Sequence, residues 1–174
     1  MYRHVSYWLM PTVAERTRFQ KLINTLARTH NAPTFAPHVT IYSGESPPDE
    51  NPLEIIARST PDVHDVRLSI DRVLYTEAFT KTLFIQFYPS SPLSRITENM
   101  RRLSARPSDY VLNPHLSLLY KQMSELNKQR LAATIHLPQS EIICDEVWAI
   151  ASPGPTRTPE DVARWAVVCR QPLS

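Results

Sequence analysis

Polar and apolar positions along this chain switch repeatedly between a period of two and a period near 3.6, the signature of alternating strands and helices. Val5 to Leu9 is aromatic-rich and closed by Pro11, which fits a strand. Thr12-Val13-Ala14-Glu15 reads as a capping box. Phe19, Leu22, Ile23 and Leu26 then recur at helical spacing and predict a helix to about Arg28. A strand from about Phe35 to Ser43 follows, then a polar, Pro-rich loop over Gly44 to Pro52. Asn51 caps a short helix with Pro52 at its first position. Val66 to Thr76 and Thr82 to Tyr88 are predicted strands. Ser91-Pro92 opens a helix with the stripe Leu93, Ile96, Met100 and Leu103. A strand over about Leu112 to Tyr120 comes next, then a helix capped by Ser124 with Leu126, Leu131 and Ile135 as its apolar positions. Ile142 to Ala151 and Trp165 to Arg170 close the chain as strands, with Ser152 to Asp161 a Pro-rich loop between them.

The order of elements repeats. Each half has a strand ending in Pro (Pro11, Pro89), a helix, a His-bearing strand, a second helix and another strand. Pro37-His38-Val39-Thr40-Ile41 in the first half answers Pro114-His115-Leu116-Ser117-Leu118 in the second. Ile70-Asp71-Arg72-Val73 likewise answers Cys144-Asp145-Glu146-Val147. A duplication of architecture predicts two similar lobes about a pseudo-two-fold axis, with the two His strands facing across a central cleft.

Composition narrows the class. A chain of 174 residues fits one domain with a proper core. Gly is rare (two residues) and Pro abundant (16), so turns rest on Pro, Asn, Asp and Ser chemistry. A formal charge of +2 is too small to advertise a long nucleic-acid track, but it suits a small anionic ligand. No apolar run approaches the length of a membrane span, and the opening Tyr2-Arg3-His4-Val5 lacks a signal-peptide layout. Cys144 and Cys169 show no metal spacing, and as reduced core thiols they point to a cytoplasmic compartment. A monomer is the expected state.

In a strand, residues two apart share a face. His38 and Thr40 therefore look one way while Val39 and Ile41 pack the other, and His115 and Ser117 do the same against Leu116 and Leu118. A single His followed two residues later by Ser or Thr is a weak signal. The same pattern twice, each time behind Pro and between aliphatic residues, is a strong one. Histidine titrates near neutrality, so one copy can act as base while its twin acts as acid. In-line displacement at phosphorus needs the two on opposite sides of the phosphate. Thr40 and Ser117 would donate hydrogen bonds to its non-bridging oxygens. This chemistry calls for no metal or other cofactor.

These residues resemble the two His-x-Ser/Thr motifs of the 2H phosphoesterase superfamily, and within it the cyclic phosphodiesterases of plants and yeasts. The likeness runs over almost the whole chain. It includes the Trp8 and Pro11 region, both motifs, Asp71-Arg72-Val73, Leu119-Tyr120 and Trp165-Ala166-Val167-Val168-Cys169. It implies an α+β, bilobal, duplicated fold with two mainly antiparallel sheets facing a central cleft and helices outside. It also implies hydrolysis of ADP-ribose 1″,2″-cyclic phosphate and of nucleoside 2′,3′-cyclic phosphates to 2′-phosphates, with His115 as base and His38 as acid.

By the same likeness Trp8 lines the base or ribose, although a core position suits a tryptophan equally well. Tyr120 helps to order the site, which on strand parity requires the strand to end or bulge before it. Phe79 is the candidate aromatic for stacking on the base, but Thr80 occupies the matching position. Gln86 takes the repeat position of Trp8. Arg101, Arg102 and Arg106 read as a solvated helix face. His4, His30, His64 and His136 have no partner at metal spacing and are assigned no chemistry. The expected partner is a small cyclic-phosphate nucleotide. Two other functions stay open: processing of RNA ends, and nucleotide binding without catalysis.

Overall fold

A computed structural model describes residues 3–174. Its strands are β1 (Arg3–Pro11), β2 (Val39–Ser46), β3 (Val66–Tyr75), β4 (Leu83–Phe87), β5 (His115–Leu119), β6 (Glu141–Ser152) and β7 (Ala166–Pro172). Its helices are α1 (Val13–His30), α2 (Pro52–Ser59), α3 (Ser91–Leu103), α4 (Glu125–Thr134) and α5 (Pro159–Ala163), with a 3₁₀ turn at Phe79–Lys81. The fold is α+β and every strand pairing is antiparallel.

The strands join in one hydrogen-bonded sheet ordered β1-β2-β5-β4-β3-β6-β7, and β1 also pairs with β6. The length of β6 explains this. Its first residues, Glu141 to Cys144, pair with β3, while the remainder pairs with β1 on one side and β7 on the other. Between β2 and β5 the contact narrows to the single pair Val39 with Leu116. Those two positions follow directly after His38 and His115.

The helices pack by the apolar stripes their sequences carry. Phe19, Ile23 and Leu26 of α1 are buried, as are Leu93, Ile96 and Met100 of α3. Asn51 caps α2 through its side chain, and Ser124 caps α4 in the same way. Three expectations are corrected. Thr12 makes no side-chain cap to α1, and the reciprocal half of the box is lost as well, because the Thr12 amide donates to the Ile143 carbonyl while Glu15 accepts from the Ile143 amide. The buried member of α4 is Lys128, whose ammonium pairs with Glu77 and Glu125 and donates to the Thr76 carbonyl, while Leu126 is exposed. The loop after β6 contains α5, closed by a Thr158–Asp161 capping box.

Candidate active site

The Val39–Leu116 pair brings the two motifs together. In an antiparallel pair the residue before one partner lies opposite the residue after the other. His38 is thereby set toward Ser117, and Thr40 toward His115. All four line one cleft of about 300 Å³, and Val39, Ile41, Leu116 and Leu118 are fully buried on the opposite face. The period-two reading of both motifs holds.

Each imidazole is anchored in the same way. His38 Nδ1 lies 2.6 Å from the Ala36 carbonyl, and His115 Nδ1 lies 2.7 Å from the Asn113 carbonyl. A carbonyl only accepts, so Nδ1 carries the proton and Nε2 keeps its lone pair. The intervening Pro37 and Pro114 have a fixed φ and hold the preceding residue extended, which rigidly sets the carbonyl against the ring two residues on. Gln86 reinforces the second anchor by donating to the Asn113 side chain and to the Pro114 carbonyl. It supports the His115 loop and is not among the cleft-lining residues.

Both rings are neutral in the empty cleft. Burial pushes His38 down to about 3, opposed by the Ala36 carbonyl and aided by the nearby His115. Burial pushes His115 down to about 4, opposed by the Asn113 carbonyl and aided by the Lys81 ammonium. Lys81 also lines the cleft, with Nζ 4.6 Å from the centre of the Phe84 ring. Phe84 in turn meets His115 edge-on at 5.5 Å. Sequence reasoning missed Lys81, which belongs to a turn rather than to either motif.

Trp8 resolves toward the cleft, its ring lying flat on His38 at 3.5 Å and 8°. Trp165 meets Trp8 edge-on at 5.0 Å and also lines the cleft. Tyr120 lies one residue beyond the end of β5, so strand parity no longer governs it. It enters the cleft with Phe35 stacked on its ring at 3.8 Å. Burial raises its phenol, opposed by the Ser117 hydroxyl. Phe79 is not among the cleft-lining residues and packs on Tyr120 and the core instead. A 3₁₀ turn advances about 120° per residue, so Phe79 is core-facing while Thr80 and Lys81 reach the cleft.

The hydroxyls differ. Among the described residues the Thr40 hydroxyl has no hydrogen-bond partner, whereas Ser117 donates to the Thr80 carbonyl at 2.7 Å. Arg101 also departs from a solvated face: it donates to the Ser108 and Tyr110 carbonyls and ties down the segment ahead of β5.

Residues 1–142 match the family model described as cyclic phosphodiesterase-like protein. The chain is 23% identical over 124 residues to a cyclic phosphodiesterase of Arabidopsis thaliana, covering 71% of this chain and 68% of that protein. It is 28% identical over 152 residues to a 2′,3′-cyclic-nucleotide 3′-phosphodiesterase of Phaeosphaeria nodorum, covering 78% of each. Among solved structures, E. coli LigT complexed with 3′-AMP superposes with a TM-score of 0.62 at 16% identity, covering 100% of this chain and 99% of that one. The shared fold, the paired motifs in one cleft and the family match make this chain a phosphoric diester hydrolase of the cyclic phosphodiesterase-like family.

Proposed function

We propose that the enzyme opens nucleoside 2′,3′-cyclic phosphates to 2′-phosphates, and ADP-ribose 1″,2″-cyclic phosphate to the 1″-phosphate, by acid–base catalysis between His115 and His38. The observation that carries this reading is the shared cleft. Two Nδ1-anchored imidazoles border it, each presenting a lone pair at Nε2. The fungal relative's name specifies the 3′ ester, and breaking that ester of a 2′,3′-cyclic phosphate leaves the phosphate on the 2′ oxygen.

The substrate arrives as a monoanion, which favours protonation of an adjacent imidazole. The surroundings decide which one. Lys81 beside His115 disfavours a second cation there, while the Trp8 face stacked on His38 favours one. In the empty cleft the deeper burial of His38 works against this order. The bound anion offsets that desolvation, and the two neighbours remain. His38 therefore holds the proton. His115 Nε2 removes a proton from the attacking water as its oxygen bonds to phosphorus. The opposite P–O bond breaks, and His38 delivers its proton to the departing sugar oxygen. Thr40 donates to a non-bridging oxygen; Ser117 does so by rotating away from the Thr80 carbonyl.

Phosphorus NMR on a panel of 2′,3′-cyclic nucleotides, ADP-ribose 1″,2″-cyclic phosphate and a cyclic-ended oligonucleotide tests the reading, with a chelator arm for metal independence. The expected result is opening of the small cyclic phosphates to the stated products, unchanged by chelator. Turnover confined to the oligonucleotide would favour RNA-end processing. Binding without product would favour a non-catalytic module.

A further inference from the structure

A third histidine shares the cleft. On β1 the alternate residues His4, Ser6 and Trp8 all line it. On β2 strict alternation after His38 and Thr40 would aim Tyr42 into the cleft and Ser43 away from it. The register prevents this: Trp8 pairs with Thr40 but Tyr7 pairs with Tyr42, leaving Ile41 as an extra residue. A bulge of this kind re-aims the side chains beyond it. Ile41 and Tyr42 are both buried, and Ser43 turns into the cleft opposite Ser6.

The result is a hydrogen-bonded row. Ser43 Oγ lies 2.7 Å from His4 Nε2 and 2.8 Å from Ser6 Oγ. On β6, Ser152 stands opposite His4, and Thr156 beyond it accepts from Trp165 Nε1, which leaves the Thr156 hydroxyl proton free to donate. At about 3.3 Å per residue, Ser6 lies about 7 Å and His4 about 13 Å along the strand from Trp8. The catalytic pair stands at the Trp8 end.

An acceptor bound in the cleft would select one of the two proton directions open to this row. With Nε2 of His4 protonated, His4 donates to Ser43, Ser43 donates to Ser6, and Ser6 keeps its proton for the cleft. Thr156 adds a further donor. Converging donors suit a group that only accepts, such as a phosphoryl oxygen. Burial lowers the His4 pKa, and Glu45 on β2, ion-paired with Arg106 from the segment after α3, opposes that shift. The aromatic side chains Trp8, Tyr120 and Phe35 cluster around the catalytic pair, and Trp165 links that cluster to the row through Thr156.

We propose that His4, Ser43, Ser6 and Thr156 form a subsite for a second phosphoryl group, carried on the 5′ carbon of the ribose whose cyclic phosphate lies between His38 and His115. The inference deepens the hydrolase reading and rests on it for the placement of that ribose. It makes 5′-phosphorylated substrates, mononucleotide or diphosphate-linked, the preferred class over 5′-hydroxyl ones.

Calorimetric binding tests it without turnover, by comparing adenosine 2′,5′-bisphosphate with adenosine 2′-monophosphate. The wild-type protein is expected to bind the bisphosphate about tenfold more tightly. That ratio should fall to about one or two in His4→Phe and in Ser43→Ala. The imidazole of His4, followed by NMR, should titrate at higher pH with the bisphosphate bound than with the monophosphate. Equal affinities in wild type, or a preference that survives both substitutions, would overturn the subsite. Failure of the hydrolase reading shows separately, as absence of product from 5′-hydroxyl and 5′-phosphorylated cyclic nucleotides alike.

Discussion

The segments that carry His38 and His115 begin alike and end in different surroundings. Both set Pro before the histidine, both tie Nδ1 to the carbonyl two residues back, and both present a hydroxyl two residues on. Beyond that the likeness stops. His38 lies under a tryptophan face and its companion Thr40 has no hydrogen-bond partner among the described residues. His115 lies beside an ammonium and its companion Ser117 gives its proton to a backbone carbonyl. A reaction with one acid and one base needs this inequality. Matching motifs supply the geometry, and on the proposed mechanism their neighbours divide the roles.

The largest effects test the roles themselves. His38→Ala and His115→Ala are each expected to cost about 10²- to 10⁴-fold in kcat on a ribose cyclic phosphate, with circular dichroism unchanged. A catechol cyclic phosphate separates them. Its aryl oxygen departs with less need of a proton, so His38→Ala should lose markedly less on it, while His115→Ala should lose as much as before. The reverse pattern would exchange acid and base.

The hydroxyls come next. Thr40→Val removes a donor poised for the phosphate and should cost about 10²-fold in kcat. Ser117→Ala removes a hydroxyl whose proton is already engaged, so its loss should be several times smaller. Equal losses would show that Ser117 rotates into the site at no cost, and that the two halves handle the phosphate symmetrically.

Lys81→Met addresses the charge beside His115. Removing the ammonium should raise the His115 titration, because its charge disfavours a cation on that ring. The His38 titration should stay in place. NMR of the imidazole protons reads both at once. A common shift of the two rings would show that Lys81 acts on the whole cleft rather than on one side of it.

Sequence reached the motifs because strand parity and a preceding proline are local properties. His38, Thr40, His115 and Ser117 needed only a period of two, and the fully buried Val39, Ile41, Leu116 and Leu118 confirm it. What it missed was set by partners distant along the chain. The extra residue at Ile41 exists only in the register with β1. The capping role expected of Glu15 is lost to an amide 128 positions away. Lys81 reaches the cleft because a 3₁₀ turn, tethered by Lys128 bonding Thr76 and Glu77, rotates it there. Lys128 itself shares a helix face with Leu131 and Ile135, and only its charge argued against burial there. Phe79 went to the core for the same local reason that brought Lys81 out.

The smallest effect expected is a displacement between two pH profiles. On the proposed mechanism the base must be neutral, which holds above about 4 for His115. The acid must be protonated, which holds below about 3 for His38. These ranges do not overlap and only minor fractions of the two forms coexist, so kcat/KM, which reports the free enzyme, should peak between those values and decline with each further unit of pH. In the complex the phosphate charge raises both imidazoles, so kcat should hold to higher pH than kcat/KM before it falls. Measuring both parameters from pH 3 upward on one cyclic nucleotide checks the sign. Superimposed profiles would mean that the bound anion leaves the rings unmoved, and the proton on His38 would then need a source other than the substrate's own charge.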